Sequence, residues 1–256
     1  MRVTICEFPD EHDAKEQAWA ALADYLARVN PSIVVLPEMP FCDWIFDRET
    51  VDRSVWQKAV DEHEVMMPRL GELTCRWVMS SRPIEEGGRR FNEAFLWSAQ
   101  EGYRPVRRKW YLPDAPTARE TRWFNRGDRN FVPVMADAVA TAFQLCSEIM
   151  FTHHARDIGF GGAHLIVQPR ATGGASRWLI ASEMSAIASG SYVASANRRS
   201  LRRELFSGRG WLLSPEGHIL CETTEEKPFA TADIDPATAE RAKLRYPRDL
   251  YRMYRD

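Results

Sequence analysis

AVATAFQLCSE (residues 138–148) is the stretch on which the reading of this chain turns. Residues 138–145 alternate with the period of two that marks a strand, and the run ends at Cys146. The pattern then predicts a helix over 152–159. A cysteine at a tight strand-to-helix turn is held out from the sheet, near a helix N-terminus whose dipole favours a thiolate. The backbone N–H of Ser147 is placed to donate to an oxyanion there. A free cysteine is more often a small buried apolar residue, and Cys6, Cys42, Cys75 and Cys221 are read that way.

Working outward, three charged residues precede Cys146 at strand ends or in loops. Glu38 follows VVLP (34–37), part of an apolar run over 33–36 bounded by prolines and read as a strand buried on both faces. A carboxylate at the end of such a strand is costly unless it is exposed at the rim or paired. Lys109 lies in RRKWYLP (107–113), after a strand predicted over 103–108, and Glu120 lies in ARETRWF (118–124). Taken singly, these are a loop acid, a solvated lysine and an exposed loop charge. Taken together, a thiol, an ammonium and two carboxylates meeting at one rim of a sheet form a nucleophilic acyl-transfer site.

The rest of the pattern argues α/β, with helices covering sheet faces. Strands are expected at 3–8, 33–36, 76–80, 91–97, 103–108, 138–145, 165–167, 192–196, 210–213, 219–222 and 230–234, and main helices at 14–29, 50–70, 152–159 and 180–189. A last helix opens at Asp235-Pro236, where Asp suits the cap and Pro the first helical position. The strands at 91–97 and 103–108 pair around a turn at 100–102. With no internal repeat and no linker-like stretch, residues 1–256 are read as one domain.

Composition removes several classes of function. A formal charge of −2 exerts no global pull toward nucleic acid or an anionic membrane. The local runs Arg198-Arg199 and Arg202-Arg203 are read as a solvated loop. No uncharged run approaches the ~18 apolar residues of a membrane span. The opening MRVTICEF lacks the apolar core of a signal peptide. Five scattered cysteines without a CxxC pair fit a reducing, cytoplasmic setting. His153 and His154 invite a Cys–His dyad, but adjacent helical residues diverge by about 100° and lie about two turns from Cys146. No second Cys or acid stands at ligand spacing, so neither a metal nor a cofactor is expected. GFGG (159–162) lacks the Lys-Ser/Thr ending of a phosphate loop and reads as a helix C-cap.

The full set resembles the nitrilase superfamily of carbon–nitrogen hydrolases over nearly the whole chain. The resemblance rests on VVLPEMPF around Glu38, RRKWYLPD around Lys109, ETRWFNRGD from Glu120 and FQLCSE around Cys146, with support from GAHLIVQP (162–169) and SYVASANR (191–198). It implies a four-layer αββα sandwich of two mixed β-sheets flanked by helices, commonly paired through a helical face into a homodimer or higher homo-oligomer. It implies Cys146 as nucleophile, Glu38 as general base, Lys109 as the oxyanion donor and Glu120 as a second acid that positions substrate or base. The family's acid two positions after the cysteine is kept as Glu148, and a Glu rather than an Asp there resembles the nitrile-hydrolysing branch, while Ser147 replaces a frequent aromatic.

The expected activity is thiol-dependent hydrolysis of a small-molecule amide through a Cys146 thioester. Nitrile or N-carbamoyl hydrolysis and acyl transfer are the chemical alternatives. A non-catalytic binding protein on the same fold is the alternative of another class, although such a protein need not keep all four polar residues. Loss of Lys109 is expected to impair turnover without unfolding the chain. For substrate contacts the sequence suggests Ser147, an aromatic wall including Trp110 and Trp123 with Trp44, Phe41 and Tyr111, and a loop at Gly173-Gly174. Arg170 or Arg177 is expected to meet a substrate carboxylate.

Overall fold

Alternation along the first strand sets the layering. In β1 (Arg2–Pro9), Val3 and Ile5 join one apolar cluster while Cys6 and Phe8 join another. In β2 (Ile33–Val35), Ile33 and Val35 share the first cluster and Val34 the second. The same period runs through β9 (Val139–Phe143), β10 (Leu165–Arg170) and β11 (Tyr192–Arg199), whose Val139, Phe143, Leu165, Val167 and Ala194 meet Val3 and Ile5. Two sheets therefore share one apolar interior, as a two-sheet core requires.

These elements belong to a computed structural model that describes residues 1–202 and 204–253. Arg203, half of the basic pair at 202–203, lies outside the described residues. The first sheet runs β14 (Phe229–Asp233), β1, β2, β3 (Trp77–Glu86), β4 (Arg89–Ser98), β5 (Gly102–Arg108). The second runs β8 (Val134–Ala136), β9, β10, β11, β12 (Trp211–Leu213), β13 (Ile219–Glu222). β1 pairs in parallel with β2, β2 with β3, and β9 with β10 and β10 with β11, while β3–β4 and β4–β5 are antiparallel. The sheets join where Glu7, Phe8 and Pro9 pair with Asn197, Arg198 and Arg199.

Helices close both outer faces. α1 (His12–Val29) sets Trp19, Leu22 and Leu26 on Phe8, Val34 and Phe95, and α2 (Arg53–Arg69) adds Met67. Asp52 caps α2 by accepting from Ser54 N at 2.7 Å, so the helix starts three residues later than its apolar pattern suggested. On the second sheet, α4 (His153–Phe160) and α5 (Arg177–Ser189) pack Ala155, Ile158 and Ala186 against Ile166 and Val193. α6 (Pro236–Ala242) opens on Asp235, which accepts from Ala237 N, and α7 (Arg248–Met253) follows. The expected αββα order is what these packing relations describe.

Differences from expectation have local causes. β3 continues to Glu86 through a hairpin whose turn at Gly87-Gly88 has φ of 58° and 73°. A short hairpin of β6 (Asp114–Ala115) and β7 (Ala118–Arg119), and a single turn, α3 (Glu120–Trp123), lie between Lys109 and Cys146, too brief for periodicity to reveal. Arg198 is not in a solvated loop: it is fully buried on β11. Its guanidinium donates to Asp10 Oδ1 at 2.7 Å, Met39 O at 2.6 Å and Cys42 O at 2.6 Å, which compensates the buried charge.

The GFGG segment closes α4, with Gly162 at φ 85°. Within the helix, a Cβ on Gly159 would stand 2.3 Å from Ser189 O of α5. Gly→Ala in an open helix stabilises by roughly 0.5–1 kcal/mol. Gly159→Ala should instead destabilise by about 1–3 kcal/mol, seen as a lower urea midpoint at unchanged m value.

Candidate active site

The strands deliver the predicted residues from one end. Glu38 follows β2, Lys109 follows β5 and Cys146 follows β9, each just beyond the C-terminal end. Glu120 opens α3 in the connection between Lys109 and Cys146. The structure brings all four together. Lys109 Nζ donates to Glu38 Oε1 and Glu120 Oε1, both at 2.8 Å. Asn92 Nδ2 of β4 also donates to Glu38 Oε1 at 2.8 Å. Glu38, Lys109 and Glu120 are each no more than 1% exposed. Glu38 Oε2 and Glu120 Oε2 have no hydrogen-bond partner among the described residues.

Three charges in a dry site act strongly on one another. Burial works against the Lys109 ammonium, yet the Glu120 and Glu38 carboxylates overturn it and hold the lysine well above its ordinary pKa. Burial pushes Glu120 up to about 7, with Lys109 opposing. The Cys146 thiol is raised by burial and then by Glu38, against a smaller pull from Lys109. The helix-end expectation of a resting thiolate is thus reversed, because burial, with Glu38 beside it, outweighs the pull of Lys109 and the segment after Cys146 is a short 3-10 turn rather than an α-helix.

Cys146 occupies a strained backbone position, φ 48°. Such a conformation costs of order 1–3 kcal/mol in a non-glycine residue and persists only where neighbours enforce it. Glu148 braces the residue before Cys146, Leu145, and Trp110 of the Lys109 segment. Its buried carboxylate takes a bidentate grip from Arg107 and accepts from Trp110 N at 2.8 Å and Leu145 N at 2.9 Å. One side chain thereby ties the residue before the thiol to the residue after Lys109. Glu148 is fully buried and is absent from the cleft wall. Ser147 Oγ adds a bond to Tyr111 O.

A cleft of about 320 Å³ opens over Cys146 and Glu120, with Ser147, the 171–175 loop, Arg177, Trp178 and Phe206 in its walls. Of the expected contacts, Ser147, Gly173 and Gly174 line it, as does Arg177. The expected aromatic wall lies elsewhere. Trp123 is 1% exposed and stands edge-on to Phe46, with Trp44 in the same cluster. Phe41 packs under α1, Tyr111 stacks on Phe151, and Trp110 lies under Arg126. Closeness in sequence to a catalytic candidate placed these rings on the packed sides of their segments. Arg170 is likewise outside the cleft wall. Its guanidinium binds Ser195 Oγ at 2.6 Å, Thr172 Oγ1 at 2.8 Å and Arg209 O at 2.6 Å and lies over Trp211. His154 is held by Tyr111 Oη at 2.9 Å, and no metal-binding group of His, Cys, Asp and Glu occurs among the described residues. A larger groove of about 560 Å³, between α1 and α2, contains none of the four candidates.

With this geometry in place, comparison with known proteins is informative. The profile of the carbon–nitrogen hydrolase family matches residues 9–244. The chain belongs to that family. No curated protein matches it in sequence. Its fold is that of solved nitrilase-superfamily structures. A carbon–nitrogen hydrolase from Helicobacter pylori G27 superposes with a TM-score of 0.82 at 17% identity over 100% of this chain and 98% of the other. Nit3 of Saccharomyces cerevisiae, from branch 10 of the nitrilase superfamily, gives 0.76 at 16% identity over 96% and 94%. An amidase from Nesterenkonia sp. AN1, in a form with acrylamide added to its active-site cysteine, gives 0.75 at 17% identity over 99% of each chain. The chain is a carbon–nitrogen hydrolase.

Sequence reasoning missed Asn92, Arg107 and Arg198 as supports of the site. Each stood in or beside an expected strand: Asn92 within 91–97, Arg107 within 103–108 and Arg198 two residues past 192–196. Removing one partner of a buried ion pair costs about 3–5 kcal/mol. Arg107→Met should therefore lower stability by roughly that amount, measured by urea unfolding, whereas Arg202→Met at the surface pair with Asp13 should change it by less than about 1 kcal/mol.

Proposed function

We propose that this hydrolase is a small-molecule amidase working through a Cys146 thioester. The observation that carries the reading is the buried contact of Lys109 Nζ with both Glu38 and Glu120, in the same electrostatic neighbourhood as the Cys146 thiol. In the resting site the thiol keeps its proton, so attack needs a base. Glu38 takes the Sγ proton through its open Oε2 as sulfur bonds to the amide carbon. Lys109 and the Ser147 N–H receive the oxyanion. The C–N bond breaks, Glu38 returns the proton to the leaving nitrogen, and ammonia departs. Water then attacks the thioester, gives a proton to Glu38, and releases the carboxylic acid as the thiol re-forms. Glu120 holds Lys109 and presents its second oxygen to the substrate amide.

The same reading treats residues 1–256 as one catalytic domain of a homo-oligomer in a reducing, cytoplasmic setting. Ile180 and Met184, one turn apart on α5 and 55% and 45% exposed, supply an apolar helical face for pairing. No helix among the described residues is long and apolar enough to cross a membrane.

Ammonia release from a panel of primary amides, nitriles and N-carbamoyl amino acids tests the assignment. Wild type should respond to amides, and Cys146→Ala should lose all turnover; release by the variant would refute the thiol mechanism. Lys109 cannot be deleted as lightly as its sequence context suggested, because two buried carboxylates would face one another. Lys109→Arg, which keeps the charge, should fold and lose about 10²–10³ in kcat through a misplaced oxyanion donor.

Glu120 also makes a pH prediction. The folded state holds a proton up to about pH 7 that the unfolded chain gives up near its ordinary value of 4.5. The native state then binds more protons across that window, so this group makes stability fall as pH rises. Glu120→Gln removes the effect. Its melting temperature relative to wild type should be more favourable at pH 8 than at pH 5.

A further inference from the structure

One cation in the cleft wall has no part in the reaction above. The ionisable side chains lining the cleft are Glu120, Cys146 and Arg177. Arg177 is the first residue of α5, exposed, with its guanidinium carbon 5.8 Å from the Trp178 ring centroid. No carboxylate pairs with it among the described residues. The contrast with neighbouring arginines is informative. Arg170 is spent on Ser195, Thr172 and a backbone carbonyl, and Arg202 is paired with Asp13. Glu204, in the adjoining depression that shares Gly173 and Gly174, makes no ion pair with Arg177. Elsewhere the wall is largely apolar, with Ala115, Ala118, Ala171, Leu205 and Phe206.

We propose that Arg177 binds a carboxylate of the substrate, so that the amides hydrolysed here are small molecules with an acid at the end opposite the scissile amide. The proposal rests on the reading of Cys146 as nucleophile. The charge layout sets the orientation. The Lys109 ammonium is already engaged by Glu38 and Glu120, so the buried cluster offers an incoming carboxylate no unpaired cation near Cys146. The guanidinium at α5 attracts it, with a fork that matches carboxylate geometry. A substrate carrying both groups enters amide first. The cleft volume of about 320 Å³ restricts it to a small molecule.

The test uses the monoamides of succinic, glutaric and adipic acids, each against butanamide, pentanamide or hexanamide of the same length. Wild type should favour the acid-bearing member of at least one pair by tenfold or more in kcat/KM. In Arg177→Ala that ratio should collapse toward one, mainly through KM, and Arg177→Lys should restore part of it. Equal use of both members by wild type, or an unchanged ratio in Arg177→Ala, would overturn the proposal. A binding arm separates it from the amidase reading. Calorimetric titration of the preferred monoamide, or of glutaramate if none is turned over, into Cys146→Ala and into Cys146→Ala/Arg177→Ala should show at least tenfold weaker binding in the double variant. Absence of turnover with that binding difference would sink the amidase reading and keep the role of Arg177. Equal binding, or none in either protein, would remove Arg177 from substrate recognition.

Discussion

An ammonium buried between two carboxylates is the constraint around which the site is built. Each of these charges would cost several kcal/mol to bury alone, so none of the three tolerates loss of its partners. Lys109 stays charged because Glu120 and Glu38 overcome its burial. Burial, and after it Glu38, raises the nearby thiol against the pull of the lysine. On the proposed mechanism, activation occurs during attack, by proton transfer, rather than by storing a thiolate in the resting protein. This also protects a buried cysteine from adventitious oxidation, since the thiolate is the reactive form.

Holding four groups from four separate segments in one place requires bracing across both sheets. Glu148 joins the turn at Cys146 to the segment at Lys109. Arg198, at the end of β11, reaches across the sheet junction to the carbonyls of Met39 and Cys42, just after Glu38. The β10 end adds Arg170 O, which accepts from Glu38 N at 3.3 Å. Buried arginines thus serve as brackets between strand ends and the loops that carry the candidate residues. Their positive charges lie where backbone carbonyls would otherwise lack donors.

The strands were legible because period-two alternation is a direct record of burial, whereas the four-layer order was legible only through the family resemblance. Glu38, Lys109 and Cys146 were legible because each ends a run whose direction is fixed by that alternation. Glu120 could be placed only through the resemblance, since α3 is a single turn. The wall of the cleft was not legible. Trp123 and Trp178 look alike in a sequence, and only packing shows the first edge-on to Phe46 and the second at the cleft. Arg170 and Arg177 differ in the same way. The alternation that aims Gln168 and Arg170 into hydrogen-bonded interior positions stops before α5 begins. The thiol's resting state was misread because the sequence shows a helix after Cys146 but not the burial that raises the thiol most.

The most direct test of the account is the covalent intermediate. Wild-type protein mixed with a turned-over amide should be acid-quenched within a single turnover and its cysteine peptides weighed. The account predicts a mass increase equal to the acyl group on the Cys146 peptide alone, with one ammonia released per adduct and decay on longer incubation. Ammonia release with no adduct on that peptide, or with the adduct on Cys6, Cys42, Cys75 or Cys221, would contradict it.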